Sequence, residues 1–342
     1  DKGAFSAAST LSTDGGEIAL QGRLDTRSEA YGIELRCDSF PLNSFLPADS
    51  LGLLDLALQA GGSGFDPLRA QTRGNIRLQV DRAEFRGRDF GGVKLNANLE
   101  GGQLSGRLSD RDEALRLLLL ISGTLTERKQ EVRLTGNVFD FDLAELGISP
   151  QKIGGSFALE AGASASDAGS YTARIALDSI EVRTRHRTDR IRPTSLSLSS
   201  DTTATRAKLA SGDLSLAFVS PGPVDSLVPA LTRSTDILAQ QIRAQSVDME
   251  ALKPALPDFS LSVTAGRENI LNNFLKTKKV SFGALDIEGV NCDSLPVSLR
   301  IKAERLAWGG VVLDTLTAGI AQDGRRLDYF LRTANVPGNL DN

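Results

Sequence analysis

Residues 91–125 read GGVKLNANLEGGQLSGRLSDRDEALRLLLLISGTL, and this stretch decides the fold. Val93, Leu95, Ala97 and Leu99 alternate with Lys94, Asn96 and Asn98. After Gly101-Gly102 the alternation resumes over Leu104–Leu108, and then over Leu115–Ile121. A period of two sends successive side chains to opposite sides of an extended chain, so each run has one apolar and one polar face. The glycine pair sits at hairpin spacing. The stretch predicts antiparallel strands with one face in an apolar setting and the other in water.

The same grammar extends in both directions. Upstream, Ile18, Leu20, Gly22 and Leu24 alternate with polar or small neighbours, as do Ile76, Leu78 and Val80. Downstream it recurs at Val132–Val138, Phe157–Ala161, Tyr171–Leu177, Leu214–Phe218, Val297–Ala303, Leu316–Ile320 and Leu327–Leu331. Asp14-Gly15-Gly16 and Asp323-Gly324 supply further turn signals. Helical spacing is confined to two places. Leu227, Leu231, Leu238 and Ile242 form a stripe after Pro223, and Asn269–Lys278 carries Ile270, Leu271, Phe274 and Leu275. The stripe is expected to pack on the sheet end. These helices divide the chain into a repeating β segment (1–221), a punctuating segment with a short strand (222–280) and a continuation of the β segment (281–342).

A faint repeat recurs about every hundred residues. Ser39-Phe40-Pro41-Leu42-Asn43-Ser44-Phe45-Leu46-Pro47, Asp140-Phe141-Asp142-Leu143-Ala144-Glu145-Leu146-Gly147 and Ser246-Val247-Asp248-Met249-Glu250-Ala251-Leu252 each suggest a strand or helix followed by a one-turn helix. No linker rich in Pro, Gly or Ser marks separate sandwich domains. Aromatic residues make up 5% of the chain, too few for the girdles of a membrane barrel. The expected fold is all-β: an elongated, repeating, U-shaped groove with an apolar inner face and a few short helices. Its inner lining is assigned to Ile76, Leu78, Val80, Val93, Leu95, Leu99, Leu104, Leu108, Val132, Leu134, Val297, Leu299 and Ile301.

Catalytic readings fare badly. His186 is the only histidine, which excludes triads and metal sites built on two imidazoles. It lies in an arginine-rich run read as a solvated strand end and turn. Ser149-Pro150-Gln151-Lys152 has the spacing of a serine acyl-enzyme, but Pro150 spoils the helical turn that chemistry requires. Gly61-Gly62-Ser63-Gly64 lacks the lysine of a phosphate loop and is expected to be a flexible turn. Asp110, Asp112 and Glu113 lack calcium-loop spacing and read as a solvated turn capping the next strand. Cys37 and Cys292 are expected to be buried thiols rather than a disulfide. A net charge of −4 argues against a nucleic-acid binder. Neither an enzyme nor a cofactor site is expected.

The boxes SFPLNSFLP and FDFDLAELGI resemble the AsmA-like superfamily, and within it the bacterial TamB-type translocation and assembly modules. So do the stretches LALQAGGSGFDPLRAQTRGNIRLQV (56–80), 91–125 and AGRENILNNFLKTKKVSFGALDIEG (265–289). The resemblance is one of spacing and composition and covers nearly the whole chain. It implies a periplasmic groove that carries phospholipid acyl chains between inner and outer membrane. It also implies an inner-membrane anchor and contact with outer-membrane assembly machinery, both through parts outside this sequence. The chain opens at Asp1 rather than Met and is expected to be a segment of that longer protein. Elementary energetics agree, because each CH₂ withdrawn from water onto an apolar lining is worth about 0.8 kcal/mol and demands no specific motif. The rival readings are an adhesin-like β-repeat with a closed core and a polysaccharide-active β-solenoid enzyme.

Overall fold

The computed structural model describes residues 3–45, 51–166, 168–244, 248, 252–292, 295–323 and 326–335. Among these residues 22 strands form an open antiparallel sheet. The first are β1 (Ala4–Thr13), β2 (Gly16–Asp25), β3 (Ala30–Pro41), β4 (Leu51–Ser63), β5 (Arg73–Phe85), β6 (Arg88–Phe90), β7 (Val93–Glu100), β8 (Gln103–Arg111), β9 (Leu115–Leu125), β10 (Lys129–Asp142) and β11 (Ile153–Ser166). There follow β12 (Tyr171–Thr184), β13 (Thr188–Ile191), β14 (Thr194–Ser200), β15 (Ala204–Ser211) and β16 (Leu214–Pro221). Helix α1 (Val224–Arg243) precedes β17 (Phe259–Ala265), and helix α2 (Ile270–Thr277) precedes β18 (Val280–Ser281). The series ends with β19 (Ala284–Cys292), β20 (Leu295–Trp308), β21 (Val311–Asp323) and β22 (Arg326–Ala334). The alternation therefore reads correctly as strand, and both helices fall where the apolar spacing changes to that of a helix.

The chain divides into two compact units, residues 1–167 with 177–190, and residues 168–176 with 191–342. The boundaries read from sequence at 221 and 280 both fall inside the second unit.

In the first unit each strand pairs with its neighbour in sequence from β1 to β5 and from β7 to β11, and β5 pairs with β7. Directly paired residues share a face, so these registers can be followed across the sheet. One row runs Leu20, Leu35, Leu58, Leu78, Leu95, Leu108, Leu119, Gly136, Leu159. Gly136 breaks the leucines for a reason of space, since a Cβ there would come within 2.0 Å of the Leu118 carbonyl oxygen.

Two of the sequence boxes coincide with β-bulges. The β3–β4 register slips between Cys37 and Phe40, and the β10 register slips between Val138 and Phe141. At the first, Ser39 takes a left-handed φ of 49° and its N–H donates to the Asp55 carboxylate. The bulge turns Phe40 into a buried position, stacked 5.0 Å from Phe45. A single 3₁₀ turn follows at Leu42–Ser44. The second box closes a single turn, the Leu146 N–H donating to the Asp142 carbonyl while the Asp142 carboxylate accepts from the Ala144 and Glu145 N–H groups, and it does not continue as a helix. Most of the third box lies outside the described residues.

Gly61 and Gly62 are not in a flexible turn. They belong to β4, and only Gly64, at φ 83°, begins a turn. A Cβ on Gly62 would meet the Arg73 carbonyl oxygen at 2.1 Å and the Tyr31 hydroxyl at 2.9 Å, so glycine here serves close packing.

Candidate functional site

The first unit presents one continuous apolar face. Beside the leucine row lie two parallel rows at the same parity. One runs Ala7, Gly22, Ile33, Ala60, Ile76, Ala97, Gly106, Ile121, Leu134, Ala161. The other runs Phe5, Leu24, Tyr31, Gly62, Gly74, Leu99, Leu104, Gly123, Val132, Ala163. Val80 and Val93 pair one step beyond the leucines. Every expected lining residue of this unit, from Ile76 to Leu134, thus lies on one face, while Lys94, Asn96, Asn98 and Arg107 occupy the other.

The face is not sealed. Leu20, Ile33 and Ile76 keep 46%, 44% and 43% of their surface, and Leu78, Leu95, Leu99 and Leu108 are half-buried. A sandwich core would bury such positions almost completely. No α-helix among the described residues falls in this unit to cover them. At the β1–β5 side a cavity of 930 Å³ is lined by Phe5, Leu24, Tyr31 and Ile33, with Arg23 and Arg77 among its polar residues. Its volume is in the range of ligand clefts. Little in the sequence warns of it, because small residues such as Gly22, Ala60 and Gly61 line it beside the aromatic and charged ones, and the alternation does not mark them.

One polar group intrudes on the apolar face. Asp110 lies opposite Leu117 and is only 8% exposed, so it is not the solvated turn residue expected. Burial raises its pKa above the ordinary carboxylate value. Its Oδ1 accepts from the Asp112 N–H, and Asp112 in turn accepts from the N–H groups of Gly91 and Ala114. The cluster does cap the turn, and among the described residues no group of His, Cys, Asp and Glu is arranged to hold a metal. Cys37 is buried, and its thiol is pushed up by burial and then by Asp38 and Asp55. It is not bonded to Cys292.

The second unit has its own apolar rows. One runs Leu196, Leu209, Leu216, Val263, Ile287, Ile301, Ala318, Leu331. Leu299 lies in the next row, between Gly289 and Ile320, and Val297 precedes it on the same strand at the same parity. A cavity of 530 Å³ is lined by Leu261, Gly289, Leu299 and Ile320. Part of this face is roofed. Ile270, Leu271 and Leu275 of α2 pack on the buried cluster of Leu214, Val263, Ala265 and Phe282. A satisfied polar network holds the roof. Asn269 Oδ1 accepts from the Asn272 N–H, and Asn269 Nδ2 donates to Asp213 and to the Gly266 carbonyl. Asn272 bonds both the carbonyl and the N–H of Phe282.

Helix α1 departs from its expected role. Leu227 is buried, but Leu231 and Leu238 are exposed, and Ile242 has no described side chain. The buried side is held by polar contacts instead, with Ser234 donating to the Ala255 carbonyl and Gln241 bonding the Asp248 backbone. No helix among the described residues is long and apolar enough to cross a membrane. His186 is exposed, and the arginines around it are partly neutralised, Arg183 by Asp140 and Arg187 by Asp189. Compared with models of protein families, with curated proteins and with solved structures, the chain has no match.

Proposed function

We propose that this chain binds and passes phospholipid acyl chains along the apolar face of its sheet, unchanged, as a non-enzymatic lipid conduit between inner and outer membrane. One observation carries the reading. The registers gather the apolar positions of successive strands into continuous rows on a single face, many of whose side chains are half-buried or exposed. Such a lining stabilises each CH₂ by about 0.8 kcal/mol wherever it lies, so a chain can slide without leaving a unique site. Head groups stay in solvent. The partial exposure of Leu20, Ile33 and Ile76 weighs against the closed-core, adhesin-like alternative. The pattern resemblance to TamB-type modules supports the periplasmic setting and the outer-membrane assembly partners.

The test is photocrosslinking from benzoylphenylalanine placed at Leu95 or Leu99, with Lys94 and Asn98 as controls on the opposite face, during expression in a bacterial periplasm. Phospholipid adducts several-fold more abundant from 95 and 99 are expected. Equal labelling from both faces, or none from either, overturns the reading.

A further inference from the structure

The β20–β21 hairpin ends in Trp308-Gly309-Gly310-Val311-Val312. Trp308 pairs directly with Val311 across two glycines whose φ values are 57° and 89°, the left-handed pair of a tight type I′ turn. The tip is apolar and bare. Trp308, Val311 and Val312 keep 71%, 59% and 50% of their surface. The ladder to β22 stops at Thr315–Ala334 among the described residues, so the tip extends beyond that pairing.

Cations gather beside it. Val280 pairs with Trp308, which sets the preceding Lys278 and Lys279 next to the indole end of the hairpin. Both lysines are fixed in the exit turn of α2, where the Lys278 N–H donates to the Leu275 carbonyl and the Lys279 N–H to that of Lys276. Lys276, Lys278, Lys279 and Arg305 are all exposed, and none makes a salt bridge among the described residues. The adjacent acid, Glu304, is occupied by Lys302 at 2.6 Å. The half-buried Asp314 lies behind the tip on β21.

We infer that this hairpin tip and the lysine turn beside it form a docking point for an anionic phospholipid membrane surface. Tryptophan favours the membrane–water interface because its ring is apolar and its N–H is polar, and lysines are attracted to anionic head groups. A protein partner fits less well. Stable protein interfaces bury roughly 800 Å² per partner over some 20–30 residues, far more than a five-residue tip and its flanking cations offer. A membrane needs only the few interfacial groups present. The inference does not depend on the apolar face holding lipid.

The single tryptophan of the chain makes the test direct. The intact chain is titrated with vesicles of phosphatidylcholine alone and of phosphatidylcholine mixed with phosphatidylglycerol, following Trp308 emission and, in parallel, flotation. The expected result is a blue shift with the anionic vesicles, weakened by added salt, and little change with the neutral ones. Lys278→Glu with Lys279→Glu, which leaves the Val280–Trp308 pairing in place, should weaken partitioning by roughly twenty-fold or more. Trp308→Ser, checked for an unchanged circular dichroism spectrum, should float several-fold less. Three results overturn the inference: equal binding to neutral vesicles, undiminished binding of the lysine variant, or flotation without any change in Trp308 emission. So does a blue shift that appears without vesicles and grows with protein concentration, because a second copy would then be covering the tip.

Discussion

At the scale of single residues, the physical question is what each side chain would meet if changed. Leu95 and Lys94 are neighbours on β7 that face opposite ways. On an open apolar face, Leu95→Glu loses its burial but can still turn its carboxylate toward water. The expected cost is about 2 kcal/mol by denaturant midpoint, with the chain still folded, while Lys94→Glu stays near neutral. A sealed core would instead impose several kcal/mol and aggregation. Gly136→Ala probes space rather than polarity. Its methyl would collide with the β9 backbone at Leu118, and a loss of about 2 kcal/mol or more is expected in the same unfolding measurement. Asp201 offers a titration. The Thr203 hydroxyl, then the backbone N–H groups of Thr203 and Ala204, hold its carboxyl at about 2, below the ordinary aspartate value of 3.8. A depressed folded pKa contributes stability that is present above the unfolded value and lost as pH falls through the folded one. The β14–β15 turn should therefore loosen only between about pH 4 and pH 2. NMR titration of Thr203→Val should show the Asp201 carboxyl moved upward.

At the scale of elements, α2 shows how a short helix becomes fixed. Eight residues are too few to hold a helix in water by propensity. Its apolar side is anchored on the sheet, and its start is capped by Asn269, which is wholly buried. Burial works against the charge of Asp213, but the Asn269 amide and the backbone N–H groups around Glu268 outweigh it, so the Asp213 carboxyl titrates below its ordinary value. Asn269→Ala removes the cap and strands two acceptors. A loss of about 2–4 kcal/mol is expected in urea unfolding followed by circular dichroism. Retained stability would mean that the roof over Leu214 and Val263 is held by packing alone. Helix α1 teaches the converse. Its apolar spacing was legible at Leu227, Leu231 and Leu238, but spacing does not say which turn meets the protein. Polar contacts went to Ser234 and Gln241 because Ala255 and Asp248 offer them backbone groups.

At the scale of the whole molecule, the proposal requires that lipid be held and released unchanged. Incubation with phospholipid, lipopolysaccharide and peptidoglycan fragments, followed by mass spectrometry, should yield no product with turnover, and native mass spectrometry should detect co-purified phospholipid. A product that disappears when a single Asp or Glu is changed to its amide would replace the conduit by an enzyme.

The sequence by itself determined the strands that alternate strictly, among them β2, β5, β7–β12, β16 and β20–β22, the two helices, and which side of each of those strands is apolar. Those follow from periodicities of two and 3.6, which are properties of a few neighbouring residues. It also placed Leu78, Leu95 and Leu108 on the apolar side of their strands, one strand at a time. Only the tertiary structure decided that these leucines fall in one row, because register depends on which residues of separate strands meet, and each bulge resets it by one position. Packing likewise decided that Gly61 and Gly62 belong to β4, that Asp110 is buried, and that α2 covers part of one apolar face. Whether a face is open or covered is set by what arrives from elsewhere in the chain, and alternation within a strand carries no record of that.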